Sequence, residues 1–154
     1  MSETYDSVYE DAGRANGIDP DLIRAVHHVE SGGDNDNAIS STGALGRGQF
    51  MPGTARELGI NPTWAPDAIH GTARYLRQNA DKLGGDPAAA VMAYYAGPGG
   101  RATDDVEGYA RKVHADYTRR VAAREREPEQ VAEAPQQPNI REQIETARKS
   151  GFND

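Results

Sequence analysis

Apolar residues return every three or four positions along most of the chain, the spacing of helices with one buried face. Val8, Ala12 and Ala15 share such a stripe, which predicts a first helix over 5–15, ended by Gly17. Asp19-Pro20 is a strong helix start, since aspartate caps free amides and proline is tolerated in the first turn. The helix it opens is predicted over 20–30, with Ser31-Gly32-Gly33 as its stop. A polar loop from Asp34 to Thr42 then leads into a turn with glycines at 43, 46 and 48, followed by a short helix over 54–58 that Gly59 closes. Ile69, Ala73, Leu76 and Ala80 predict a longer helix over 67–83, stopped by Gly84-Gly85. Asp86-Pro87 repeats the earlier start and opens a helix of small residues over 88–96, suited to a buried position. Gly97-Pro98-Gly99-Gly100 ends it, and a last body helix is predicted from 106 to about 124. No period-two apolar run is convincing, so the expected fold is mainly α.

The pattern changes at Glu125. Residues 125–138 hold three prolines and almost no large apolar side chain, which reads as an extended linker. Asn139 with Glu142 resembles a capping box, and Ile140, Ile144 and Ala147 share a face, so a short terminal helix is expected over 139–150. It reads either as a frayed tail or as a docking peptide for a larger assembly. The expected organisation is one folded domain over 1–124 and a Pro/Gln/Glu-rich tail over 125–154.

Composition narrows the function. The chain has 154 residues and only 36% apolar ones, so one domain is expected with part of the chain outside its core. Without cysteine there are no disulfides or thiolate metal sites. No apolar run approaches the length of a membrane span. The acidic, polar start MSETYDSVYEDAG is unlike a secretory signal peptide. A net charge of -7 without a basic surplus argues against nucleic acid as a partner.

One carboxylate stands out. On a helical wheel Glu30 falls about 20° from Ile23 and about 40° from Val26, on the apolar face of its helix. Lost hydration there raises the pKa, and the nearby helix C-terminus pushes the same way. Such a glutamate keeps its proton near neutral pH and can act as a general acid. The plain alternative is a buried structural glutamate paired with Arg24 or Arg47. His27, three residues earlier, could share a metal with Glu30, but no HExxH spacing accompanies it and His70 and His114 add none, so no metal is expected. In the glycine turn, Gln49 offers an amide that both donates and accepts. The basic residues Arg111, Lys112, Arg119, Arg120 and Arg124 read as the solvated face of the last helix.

Taken in order, these residues resemble the catalytic domain of the soluble lytic transglycosylases, relatives of goose-type lysozyme, over about residues 8–121. Glu30-Ser31 is similar to the family's catalytic Glu-Ser pair. Asn37-Ala38, Ser40 and Thr42-Gly43-Ala44 follow its polar loop, and Gly46, Gln49 and Met51 to Ala55 follow its glycine-glutamine motif. Ile69-His70-Gly71 with Tyr75-Leu76 resembles its central helix. Ala93-Tyr94-Tyr95-Ala96-Gly97-Pro98-Gly99 resembles its Ala-Tyr-Asn-Ala-Gly-Pro-Gly motif, and Tyr109 stands where the family has a late active-site tyrosine. Two positions depart from the pattern: Tyr95 replaces the usual Asn, and Gly48 replaces a residue that is apolar in many relatives.

The resemblance implies a lysozyme-like helical domain with a substrate cleft. It implies cleavage of the bond between N-acetylmuramic acid and N-acetylglucosamine in peptidoglycan, with no cofactor. Glu30 would protonate the glycosidic oxygen, then take the proton of the sugar's 6-hydroxyl as that oxygen closes on the anomeric carbon to give a 1,6-anhydro end. Ser40 and Gln49 would bond the sugars' polar groups, Met51 would give an adaptable apolar contact, and Tyr94, Tyr95 and Tyr109 would complete the site. Two other readings stay open: a hydrolase in which Asp34 or Asp36 holds a water, and a wall-binding or structural module without activity. With no signal peptide, a phage particle is the expected carrier and a secretion apparatus the alternative. Residues 139–152 would then dock to virion or secretion proteins.

Overall fold

Helix signals in the sequence become six helices among the described residues: α1 Asp6–Asn16, α2 Pro20–Ser31, α3 Pro52–Leu58, α4 Ala65–Lys82, α5 Pro87–Ala96 and α6 Asp104–Ala132. The computed structural model describes residues 4–132, with side chains described for 4–126. The chain divides into two units, residues 1–121 and 122–154. The core and cleft below belong to the first. In the second, residues 122–132 are helical. The terminal helix expected over 139–150, and its proposed docking role, lie outside the described residues.

The two Asp-Pro starts work as capping chemistry dictates. Asp19 accepts from the Asp21 amide at 3.0 Å and Asp86 from the Ala88 amide at 2.9 Å. Gly17, Gly32 and Gly59 close the first three helices in the left-handed region. The starts of α3, α4 and α6 fall two residues early, and the end of α6 differs widely. α3 begins at Pro52, because proline in the first helical turn loses no hydrogen bond. α6 continues past Glu125 to Ala132, so residues 125–132 are helical and not an extended linker. That stretch is rich in good helix formers, and Pro128 removes one hydrogen bond without ending the helix.

α4 is the central helix, and α1, α2, α3 and α5 all pack on it. One side of α4 places Ile69 and Ala73 against Tyr9 and Ala12 of α1 and Ile23 of α2. The other places Leu76 and Ala80 in a larger cluster with Val26, Phe50, Leu58, Val91, Tyr94, Tyr109 and Val113. α6 is tied to the start of α2 by Tyr117 Oη, which donates to Asp19 at 2.7 Å.

The glycine turn lies against this core. Leu45 and Phe50 exchange both backbone hydrogen bonds, at 2.9 and 3.0 Å, and Gly46 N donates to Ala38 O at 2.8 Å. Gly46 has φ 76, and a Cβ there would overlap the Pro62 carbonyl oxygen. Only glycine fits that backbone and that contact.

Candidate active site

Glu30 is the penultimate residue of α2, where the amphipathic stripe of the helix carries it onto the core side. Its carboxyl is pushed up to about 7 by burial, against a smaller opposing effect of the Tyr109 hydroxyl. The structural alternative, an ion pair, does not form. Arg24 pairs with Asp21 at 2.9 Å and reaches Asp6 and Glu10, while Arg47 pairs with Asp36.

Glu30 opens onto a cleft of about 610 Å³, lined also by Ser40, Thr42, Ala44, Gln49, Phe50, Met51, Thr54, Tyr75, Tyr94, Tyr95, Ala96 and Gly97. Of the residues expected from the sequence, Glu30, Ser40, Gln49, Met51, Tyr94 and Tyr95 line this space, and Tyr109 does not. Among the described residues Glu30 is the one carboxylate in the lining. A smaller cavity of about 170 Å³, walled by Leu83, Met92, Pro98 and Val106, shares Ala96 and Gly97 with the cleft and has Arg101 but no carboxylate in its lining.

Tyr109 meets Glu30 from the core. Its hydroxyl is buried without a hydrogen-bond partner, and its pKa is raised well above the usual value by burial and then by the Glu30 charge. The hydroxyl is thus near enough to act on the Glu30 carboxylate. The Tyr109 ring packs on Tyr95, centroids 4.8 Å apart and 33° tilted. Tyr95 itself is 53% exposed at the rim, and Met51 is 45% exposed. Together they present apolar surface at the edge of the cleft.

The other polar groups are partly committed to the turn. Ser40 Oγ accepts from the Ala44 amide at 2.9 Å and exchanges a bond with Thr42 Oγ1 at 3.0 Å. Gln49 Nε2 donates to Gly46 O at 2.8 Å and Ala38 O at 3.3 Å, which leaves Oε1 as its acceptor for the cleft. Tyr94 Oη donates inward to Gly48 O at 2.7 Å, so Tyr94 offers the cleft its ring and not its hydroxyl. That ring packs edge-on with Phe50 and Tyr75.

Three residues take parts that the sequence did not foretell. Ser31 Oγ donates to Arg47 O at 2.8 Å, joining the end of α2 to the glycine turn. Asp36, one of the two aspartates read as possible water holders, instead binds the Arg47 guanidinium through both oxygens, at 2.7 and 3.0 Å. His27 is fully buried with both ring nitrogens engaged, Nδ1 at 2.7 Å from Tyr9 Oη and Nε2 at 2.8 Å from Thr72 Oγ1. Wheel position hinted at this: His27 falls about 40° from Ile23, inside the apolar face.

The family described as the transglycosylase SLT domain matches residues 7–115. The chain is similar to the peptidoglycan transglycosylase gp16 of Escherichia phage T7, 36% identical over 115 residues, covering 70% of this chain and 9% of that protein. It is similar to a transglycosylase of Enterobacteria phage PRD1, 41% identical over 81 residues, covering 52% of this chain and 30% of the other. The fold resembles the X-ray structure of an inactive mutant of lytic transglycosylase Slt from Pseudomonas aeruginosa, with a TM-score of 0.66, 24% identity, and coverage of 78% of this chain and 25% of that one. The chain thus spans a third or less of each of these relatives. With α2 to α5, the half-buried Glu30 and the glycine-glutamine turn all inside the matched span, this chain belongs to the transglycosylase SLT domain family.

Proposed function

We propose that this protein is a peptidoglycan lytic transglycosylase that cleaves between N-acetylmuramic acid and N-acetylglucosamine and leaves a 1,6-anhydro end. One observation carries the reading: a single desolvated carboxyl, Glu30, with its pKa near 7, on a cleft whose described lining holds no second carboxylate. Most glycosidases divide the work between two carboxylates, one for the leaving group and one for a water or a covalent bond. A lone glutamate must do both proton transfers, and the attacking oxygen then has to come from the substrate.

Glu30 begins protonated and gives its proton to the glycosidic oxygen as the C1–O bond breaks. The carboxylate so formed takes the proton of the C6 hydroxyl of the same muramic acid. That oxygen closes on C1, and Glu30 ends protonated again, with no water consumed. Intramolecular attack has the advantage of proximity. The Tyr109 hydroxyl, orphaned in the free protein, donates to the Glu30 carboxylate in the charged stage. Ser40 and the Gln49 Oε1 hold acetamido and hydroxyl groups, and Met51 with the Tyr95–Tyr109 pair supports the sugar faces. Asp36 does not supply a water-holding base in this scheme, since Arg47 engages both its oxygens.

Residues 1–124 form the catalytic domain in this reading, with 125–154 as its tail. Two of the similar proteins are named as phage transglycosylases, which supports a role in a virion, opening the wall locally as the genome enters. The tail, over 139–152, would dock to other virion proteins. Mass spectrometry of products from purified wall glycan tests the chemistry: anhydro ends support it, and a majority of ends heavier by one water overturns it. Mass spectrometry of purified particles tests the location.

A further inference from the structure

The side chain of Arg47 and the carbonyl of its neighbour Gly48 are the two ends of one buried circuit of hydrogen bonds that passes through four helices. Arg47 Nη1 donates to Tyr9 Oη of α1 at 3.1 Å. Tyr9 Oη lies 2.7 Å from His27 Nδ1 of α2, and His27 Nε2 lies 2.8 Å from Thr72 Oγ1 of α4. Thr72 Oγ1 is 3.0 Å from Tyr94 Oη of α5, and Tyr94 Oη donates to Gly48 O at 2.7 Å.

The two ends set the direction of every bond between them. A guanidinium only donates and a carbonyl only accepts. Tyr94 has one proton, and Gly48 O takes it, so Thr72 must donate to Tyr94. Thr72 must then accept from His27, which puts the ring proton on Nε2. Nδ1 is left to accept from Tyr9, whose oxygen accepts from Arg47. The protons run one way around the circuit, none missing and none in excess, as long as His27 is neutral. Burial, then the Arg47 charge, pushes His27 down to about 3 and keeps it so. At the outer end Asp36 grips Arg47 through both carboxylate oxygens.

The circuit closes on a place built to receive it. A Cβ on Gly48 would lie 2.7 Å from the Phe50 ring and 2.9 Å from both Thr72 Oγ1 and Tyr94 Oη. Glycine leaves room for the two hydroxyls, so that Tyr94 reaches the backbone carbonyl. The next residue, Gln49, has φ 51, a left-handed conformation that non-glycine residues seldom adopt. Such a backbone persists where its surroundings over-determine it.

We propose that Thr72 is a positioning residue for saccharide binding: acting through Tyr94 on the Gly48 carbonyl, it fixes the Gly48–Gln49 peptide and so holds Gln49 in the cleft. This rests on the glycan-cleaving reading of that cleft. Thr72→Val keeps the shape of the side chain and removes the hydroxyl, whereas Thr72→Ser keeps the hydroxyl. With soluble glycan-strand fragments, Thr72→Val is expected to raise KM about fivefold to tenfold, the loss of one hydrogen bond, with kcat within about twofold of wild type. Thr72→Ser is expected to stay within about twofold of wild type in both. A Thr72→Val KM within twofold of wild type, or an equal rise in Thr72→Ser, overturns the proposal.

Nitrogen NMR of the wild-type protein gives a readout free of activity and of any variant's folding. His27 is expected as the neutral Nε2–H form from pH 5 to pH 8, and an Nδ1–H ring or a doubly protonated ring at pH 6 overturns the circuit. A wild type that cleaves no glycan strand fails the functional reading instead. Exchange of the Gln49 amide then decides: Thr72→Val is expected to speed it about tenfold relative to the α4 amides, and unchanged exchange rejects the positioning role.

Discussion

Glu30 and His27 sit one helical turn apart on α2, both withdrawn from water, and burial acts on them in opposite senses. It raises the glutamate to about 7 and lowers the histidine to about 3. Desolvation disfavours whichever form is charged, so both are neutral in mildly acidic solution. What separates them is partners. His27 has Tyr9 and Thr72 on its two nitrogens, so its neutral state is locked in a satisfied network. Glu30 has no arginine partner, only the Tyr109 hydroxyl and an open cleft. The same physical cause gives a structural polar group in one region and an available acid in the other.

Removing the acid should have the largest effect. Glu30→Gln is expected to lower turnover of wall glycan about 10³-fold or more, since one residue supplies both proton transfers. The same variant should be more stable than wild type at high pH. The folded protein holds the Glu30 proton more tightly than the unfolded chain, so ionisation costs the fold nothing well below pH 4.5 and its full cost above about pH 7. The stability gain should therefore be absent at pH 4 and reach about 3 kcal/mol at pH 8. Urea titrations at the two pH values read it directly, and a gain independent of pH would contradict the buried-acid assignment.

Breaking the satisfied network should act on stability first. Asp36→Ala leaves the Arg47 guanidinium, 3% exposed, without its carboxylate. An uncompensated buried charge costs about 3–5 kcal/mol. The midpoint of chemical unfolding should fall accordingly, while the product of the surviving folded enzyme keeps its anhydro end. A switch to hydrolytic product, or full stability, would return Asp36 to the chemistry.

Tyr109→Phe sharpens the contrast from the Glu30 side. The hydroxyl favours the Glu30 carboxylate, so its loss should move the alkaline limb of kcat/KM upward from about pH 7. The rate should fall about tenfold to a hundredfold, the worth of a hydrogen bond to a charged group. An unchanged pH limb would mean that Tyr109 only packs against Tyr95.

Signals that act within one turn of chain were readable from residues alone. The Asp19-Pro20 and Asp86-Pro87 starts, the glycine stops and the wheel position of Glu30 all carry their physics locally. Expectations for Ser40, Gln49, Met51, Tyr94 and Tyr95 picked out side chains that the fold gathers around one cleft. Their division of labour was not readable. Nothing in the spacing of Tyr9, His27, Arg47, Thr72 and Tyr94 says that their polar atoms meet, because the contacts join residues up to 45 positions apart. Arg47 was weighed as a partner for Glu30, and only the folded turn gives it to Asp36. The length of α6 was missed because Pro128 reads as a break, although neighbouring helix formers carry the helix through it.

The most direct test of the account is the titration of the Glu30 side chain itself. Carbon NMR of the carboxyl resonance, assigned by its loss in Glu30→Gln, is predicted to show a midpoint near pH 7 in the free protein. A midpoint near 4.5 would mean a solvated, ionised carboxylate, and the single-acid mechanism would fall with it.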